Sequence, residues 1–471
     1  MNTMKWFILP VLAVFILVGS AACSNRRANE SPRQTRSVQG RWPGPEPRDL
    51  GGMVFKIADA NDDRFFPSAA EIGTPVGDAK QAAMESIMND FNITFEIIRV
   101  AQNDIYDRVS TAVWAGDTFA HMIISTTWAF GPMIAAGLLG DLSAIPTLNL
   151  DSDLWVQPLH RISAVRGEVL ATAGIFDHWV RVWAVFFNKR IYNELNLPDP
   201  YELVRRGEWT WDRLQEFAII GAQDLNGDGV IDGINDRWGL TANPDDLLRT
   251  WYASVGGRFV DFDPVTGRLY SPAATPDGIA IADWMYNFSI LPGVYFRQTG
   301  MTAAAQIDMF INGNILFYPQ ELLLPPRIRA MEDDIGVLPF PKRNLDQPTY
   351  LSGVSHNALL IGTTRTNNQL EETGIIMEAM AARFAHVREL QMAELEDIIL
   401  RSDEDVEMLD YILPYPVYNI ALLLGRIRAF NIPLAELSLY VTHNAITDFA
   451  SAMEANRNAM EIEINEFFFG N

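Results

Sequence analysis

"MVFKIADA" (53–60), "ITFEIIRV" (93–100) and "AHMIIST" (120–126) are three short apolar or alternating runs, each the length of a strand. Between the first two lies "AKQAAMESIMNDF" (79–91), where Ala83, Ile87 and Phe91 recur at helical spacing. Between the second and third lies "DIYDRVSTAVWAGD" (104–117), a second helical segment. Strand, helix, strand, helix, strand predicts parallel pairing with right-handed crossovers. Ligands of open parallel sheets sit beyond the carboxyl ends of the strands. Thr127 and Trp128 come just past the third run, which makes Trp128 a candidate site residue.

Further along, "TWDRLQEFAIIGAQ" (210–223) predicts a helix capped by Thr210, with Leu214, Phe217 and Ile220 on its buried face. "RFVDFDPVTGRLYS" (258–271) predicts a hairpin turning at 263–267. A helix starts at Thr275. "AAAQIDMFINGNILFYP" (303–319) reads as helix, Asn312-Gly313 turn and strand. "DDIGVLPFP" (333–341) and "SHNALLIGTT" (355–364) are two more strands, and the last 100 residues are mostly helical. Phe449, Met453, Met460, Ile464 and Phe467 give the final helix an apolar stripe, read as core.

The chain has 471 residues, 48% of them apolar and 20% charged. That is a globular composition, too long for one core, and two domains are the natural expectation. A formal charge of −23 repels phosphate backbones and argues against nucleic-acid partners.

The chain opens on Lys5, an apolar run from Trp6 to Val18, then Gly19, Ser20, Ala21 and Ala22. The run is too short for a spanning helix and reads as a signal peptide over 1–22. Cys23 is the only cysteine, so no internal disulfide exists. Its place resembles a bacterial lipobox, with Ser20 where that motif usually has Leu. Lipidation of Cys23 is the expectation; a plain secretory signal is the alternative. Residues 24–49 are rich in Arg and Pro and read as a flexible tether.

"DLNGDGVIDG" (224–233) has the spacing of a calcium loop. Asp224, Asn226, Asp228, the Val230 carbonyl and Asp232 fall at positions 1, 3, 5, 7 and 9, with Gly229 at 6. Position 12 is Asn235 instead of Glu, with Asp236 beside it, and no exit helix follows. A structural Ca²⁺ staple is expected, with a metal-free Asx turn as the alternative. A sensor needs two helices that reorient.

One long segment carries a family resemblance. "VWAVFFNKRIYNELNLPDPYELVRRGEWTWDRLQEFA" (182–218) has Phe187-Asn188-Lys189, then Asn196-Leu197-Pro198, then Trp209-Thr210-Trp211-Asp212. "MIISTTWAFGPMIAAGLLGDLS" (122–143), "FINGNILFY" (310–318), "DDIGVLPFPK" (333–342) and "RSDEDVEMLDYIL" (401–413) follow the same order. Together they resemble the extracellular solute-binding proteins, family 1, of ABC transporters, a maltose-binding-protein-like group. The resemblance spans about residues 50–471. It implies an α/β, two-lobed periplasmic-binding-protein-like fold of type II. Each lobe would be a mainly parallel sheet flanked by helices, with the cleft between them. Lobe one would be 50–168 plus 350–400; lobe two 169–349 plus 401–471. The implied protein is a monomeric, lipid-anchored sugar receptor outside a bacterial cell membrane, with ABC permease subunits as partners.

The resemblance also implies site residues. Trp128 and Arg181 match cleft positions. Asp245 and Asp246 lie in a matching loop, and Tyr318 and Glu321 in a matching strand end. Trp251, Asp177 and His178 are further candidates. Packing or solvation is the competing reading of each. Sugars need flat aromatics for their CH faces and polar side chains for their hydroxyls. The rival is a secreted glycoside hydrolase or lyase; a glycan sensor without transport is a third class. No H-E-x-x-H, G-x-S-x-G or P-loop occurs, and the six histidines are scattered. His356 reads as a strand-end residue rather than a catalytic one.

Overall fold

Thr74 sets the start of the first helix. Its hydroxyl accepts from the Gly77 amide, and Pro75 takes the first helical position, so the helix runs Pro75–Phe91. The helical pattern covers 79–91, so the helix begins four residues earlier than the pattern shows. Gly77 is required there: a Cβ would lie 2.0 Å from the Glu71 carbonyl oxygen. Ala83, Ile87 and Phe91 are all buried, as their spacing predicts.

This computed structural model describes residues 44–470, apart from 61–64, 70, 297–301, 324–327, 329–330 and 444. The signal peptide, Cys23 and the tether up to residue 43 lie outside the described residues. Residues 44–49 lie on the body. Gly44 packs beside Ala382, and Arg48 faces Glu371 at 3.5 Å. No helix among the described residues is long and apolar enough to cross a membrane.

Two larger sheets organise the chain. We number their strands β1 (Met53–Asp59), β2 (Ile93–Arg99), β3 (Met122–Thr126), β4 (Trp183–Asn188), β5 (Trp238–Thr241), β6 (Tyr295–Phe296), β7 (Ile315–Glu321), β8 (Ile335–Leu338) and β9 (Leu359–Gly362). The first sheet has the order β9-β3-β1-β2. Its first three strands in sequence are parallel, and β9 closes the β3 edge in the antiparallel sense. The second sheet has the order β6-β5-β7-β4-β8, with β5, β6 and β7 parallel and β4 antiparallel to both neighbours.

The chain passes between the sheets on paired segments. Thr172 bridges Ile361 and Val182 bridges Val354, so 172–182 and 354–361 run antiparallel. A third segment joins them, since Ser352–Gly353 pairs in parallel with Pro416–Val417.

Most predicted elements fall where their patterns put them. Thr210 caps Trp211–Gly221 and Thr275 caps Pro276–Ser289. The 261–262 and 269–270 strands pair around the Asp263 turn. Two faces differ by one residue. Ile220 is 44% exposed, because the helix turns Gly221 inward, where a Cβ would lie 2.6 Å from Leu316. In the last helix, Phe449–Phe469, Phe468 rather than Phe467 completes the buried stripe.

Candidate functional site

Thr126 ends β3 in extended backbone, and helix Thr127–Ala135 begins at once. That geometry leaves Trp128 in the first turn, 39% exposed beyond the carboxyl end of the sheet. β5 ends in the same way. Asn243 follows it, and its side chain accepts from the Asp246 amide to cap helix Pro244–Ser254. Asp245 and Asp246 therefore sit beyond the carboxyl end of the second sheet. Helices Ile420–Leu424 and Arg428–Val441 supply another wall. These parts enclose a cavity of about 600 Å³.

The polar groups of the wall are wired in a definite way. Asp246 Oδ1 lies 2.7 Å from His356 Nδ1 and accepts from Arg249 Nη1 at 2.8 Å. Burial works to raise the Asp246 carboxyl, but His356 and Arg249 outweigh it and hold the group below the usual carboxylate range. Asp245 Oδ1 accepts from the Ser438 hydroxyl at 2.9 Å. The Arg426 guanidinium lies over the Trp128 ring. Burial lowers its pKa, and it remains charged. His443 completes the titratable groups of the cavity.

Of the sequence-derived candidates, Trp128, Asp245 and Asp246 line this cavity. The others lie elsewhere. Arg181 and Glu321 are buried against each other at 2.5 Å, where 172–182 enters the second sheet. Each side chain answers the other's charge, and neither lines the cavity. Tyr318 is 1% exposed, stacked on Phe310, with its hydroxyl accepting from Gln320. Trp251 is a core residue among Trp211, Trp284 and Phe288. His178 faces neither cleft nor water. Its ring packs on Tyr418 with neither nitrogen hydrogen-bonded among the described residues, and burial pushes its pKa down to about 3. Asp177 lies in the short helix Ile175–His178.

Sequence reasoning missed Arg249, Arg426, Ser438 and His443, and discounted His356. Arg249 was legible as the i+3 partner of Asp246 on one helix. The others come from distant segments and carry no local signal.

The 224–236 loop closes on Asp236. Its carboxylate accepts from the amides of Leu225 and Asp232 at 3.0 and 2.9 Å. The Asp232 amide, with those of Leu225 and Asn226, holds it below the usual carboxylate range against the opposing effect of burial. Asp224 accepts from Gly227 and Gly229, Asn226 from Asp228, and Asp228 from Val230. The oxygens thus form a ladder of Asx turns. Among the described residues no three acidic, histidine or cysteine side chains converge to hold a metal ion.

Comparison with solved structures decides the architecture. A sugar transporter protein of Rhizobium etli, in an open conformation, superposes with a TM-score of 0.57 at 15% identity, covering 86% of this chain and 99% of that one. The chain has the two-lobed fold of ABC-transporter solute-binding proteins. A Listeria monocytogenes ABC substrate-binding protein in complex with cycloalternan gives 0.55 at 14% identity, over 88% and 99%. The maltose/maltodextrin-binding domain from Bdellovibrio bacteriovorus bound to maltotriose gives 0.55 at 13%, over the same shares. No family model matches the chain, and no curated protein matches it in sequence.

Proposed function

We propose that this chain is the substrate-binding component of an ABC importer, capturing a carbohydrate, an oligosaccharide, between its lobes for a membrane permease. The observation that carries the reading is the cavity beyond the carboxyl ends of β3 and β5. It joins an exposed Trp128 to a wall of fixed polar groups. A flat ring suits the CH face of a pyranose, and Asp245, Asn243 and Asn431 suit its hydroxyls. The ligands named for the fold neighbours, cycloalternan and maltotriose among them, support the same class.

The protein binds without breaking a bond. Calorimetric titration with oligosaccharides tests this: saturable binding with the sugar recovered intact is expected, and turnover overturns the reading. On the same reading, the protein works as a monomer, held at the outer face of a bacterial membrane by a lipid on Cys23. Mass spectrometry of the membrane fraction should find a diacylglyceryl mass on that residue. Calcium in the 224–236 loop is part of the proposal, as an addition to a loop that Asp236 already closes. EDTA should lower the melting temperature, and an unchanged melt would remove calcium from the proposal.

A further inference from the structure

Arg426 is the exception in the wiring of the cavity. The wall carries two carboxylates, Asp245 and Asp246, two guanidiniums, Arg249 and Arg426, and two imidazoles, His356 and His443. Asp246 is taken by Arg249 and His356, and Asp245 accepts from Ser438. Arg426 makes no hydrogen bond or ion pair among the described residues; its contact is the Trp128 ring. The His443 ring is likewise without a hydrogen-bond partner there. In a chain of net charge −23, this cavity holds as many fixed cations as anions, with two imidazoles besides.

The position of the guanidinium matters as much as its charge. It covers one face of Trp128, the platform on which a sugar ring would stack. A pyranose stacking on that face displaces it, and the displaced group stays within a side-chain length of the ligand. A neutral sugar would repay the water lost by the cation only with uncharged hydroxyl acceptors, which make the weaker hydrogen bond. A carboxylate or sulfate on the sugar would meet the planar fork with two parallel hydrogen bonds.

We infer that the cavity is built for a saccharide bearing an anionic group, a uronate carboxylate or a sulfate ester, and that Arg426 is its counter-ion. This rests on the carbohydrate-binding reading above. The ammonium of a lysine at 426 would keep the charge and lose the fork.

The test is calorimetric titration of the full chain with three panels: uronate-containing, sulfated and neutral oligosaccharides of matched length. Folding of each variant is checked by circular dichroism and thermal melting. Expected are binding of an acidic panel and a loss of tenfold or more in affinity in Arg426→Gln. Arg426→Lys should recover part of that loss. Wild-type affinity should fall with added salt, and Arg426→Gln should flatten that dependence. Which acidic panel binds distinguishes carboxylate from sulfate. Neutral sugars binding as tightly as acidic ones, or an unchanged Arg426→Gln, overturns the inference and leaves carbohydrate binding standing. Failure of all three panels overturns the carbohydrate reading itself.

Discussion

Trp128 and His178 illustrate two fates of a ring at the end of an element. Trp128 lies at the surface of the cavity, so its truncation acts on binding more than on folding. Trp128→Ala should cost about 2 kcal/mol of saccharide affinity, roughly thirtyfold, by titration. The melting curve should move by under about 1 kcal/mol, since the ring's main loss is one cation–π contact. His178 is the opposite case. Its folded pKa of about 3 lies below the 6.5 of the free side chain. The unfolded chain therefore takes up a proton that the folded one refuses, and stability falls as pH drops from 6.5 toward 3. His121 and His160 are depressed by burial too and add to the slope. His178→Phe should flatten the decline by about one proton in denaturant melts across that range. Trp128 was legible because a residue just past a parallel strand has a defined place. His178 was not, because burial of a polar ring depends on what the rest of the chain lays over it.

At the level of elements, local chemistry fixed most boundaries and tertiary contacts moved a few. Threonines 74, 210 and 275 each cap a helix through a side-chain oxygen, a signal contained in a few residues. The buried face of 211–221 and the start of the first helix differed from the pattern because what Gly221 and Gly77 admit, Leu316 and the Glu71 carbonyl, lies outside any local window. Helix Leu370–Glu394 carries a comparable hidden group. Glu378 accepts from the Trp155 indole at 3.0 Å and the Asn149 amide at 2.7 Å through one oxygen, while the other has no partner among the described residues. Burial pushes its pKa up to about 7. The folded state holds a proton that the unfolded state releases above about 4.5, so stability declines between those values as pH rises. Glu378→Gln keeps the accepting oxygen and removes the titration. It should melt higher than the parent at pH 8 and gain nothing at pH 4.

For the whole molecule, the order of motifs carried the architecture, and the two sheets with crossing segments 172–182 and 354–361 give it substance. The cavity was only half legible. Trp128, Asp245 and Asp246 come from strand ends that pattern can find. Arg426, Ser438 and His443 come from helix Arg428–Val441 and the turns at its two ends, about 300 residues beyond Trp128, and only tertiary packing joins them. Two lobes linked by extended segments can flex, and a ligand that touches both favours the closed form. Small-angle scattering should show a smaller radius of gyration at saturating saccharide. The melt should rise by about 2.7 kcal/mol at a hundredfold excess over Kd. An unchanged radius with a raised melt would mean binding without closure.

The antiparallel seat of β9 on β3 also bears on synthesis. β3 is buried along its whole length, yet the strand that covers its flank is Leu359–Gly362. A ribosome must add more than two hundred residues after β3 before that flank can be sealed. Throughout that interval the nascent chain carries an open apolar edge, the kind that invites pairing with other chains. Fragments ending before Leu359 should accordingly aggregate, whereas those ending after Gly362 should hold the first sheet's edge closed.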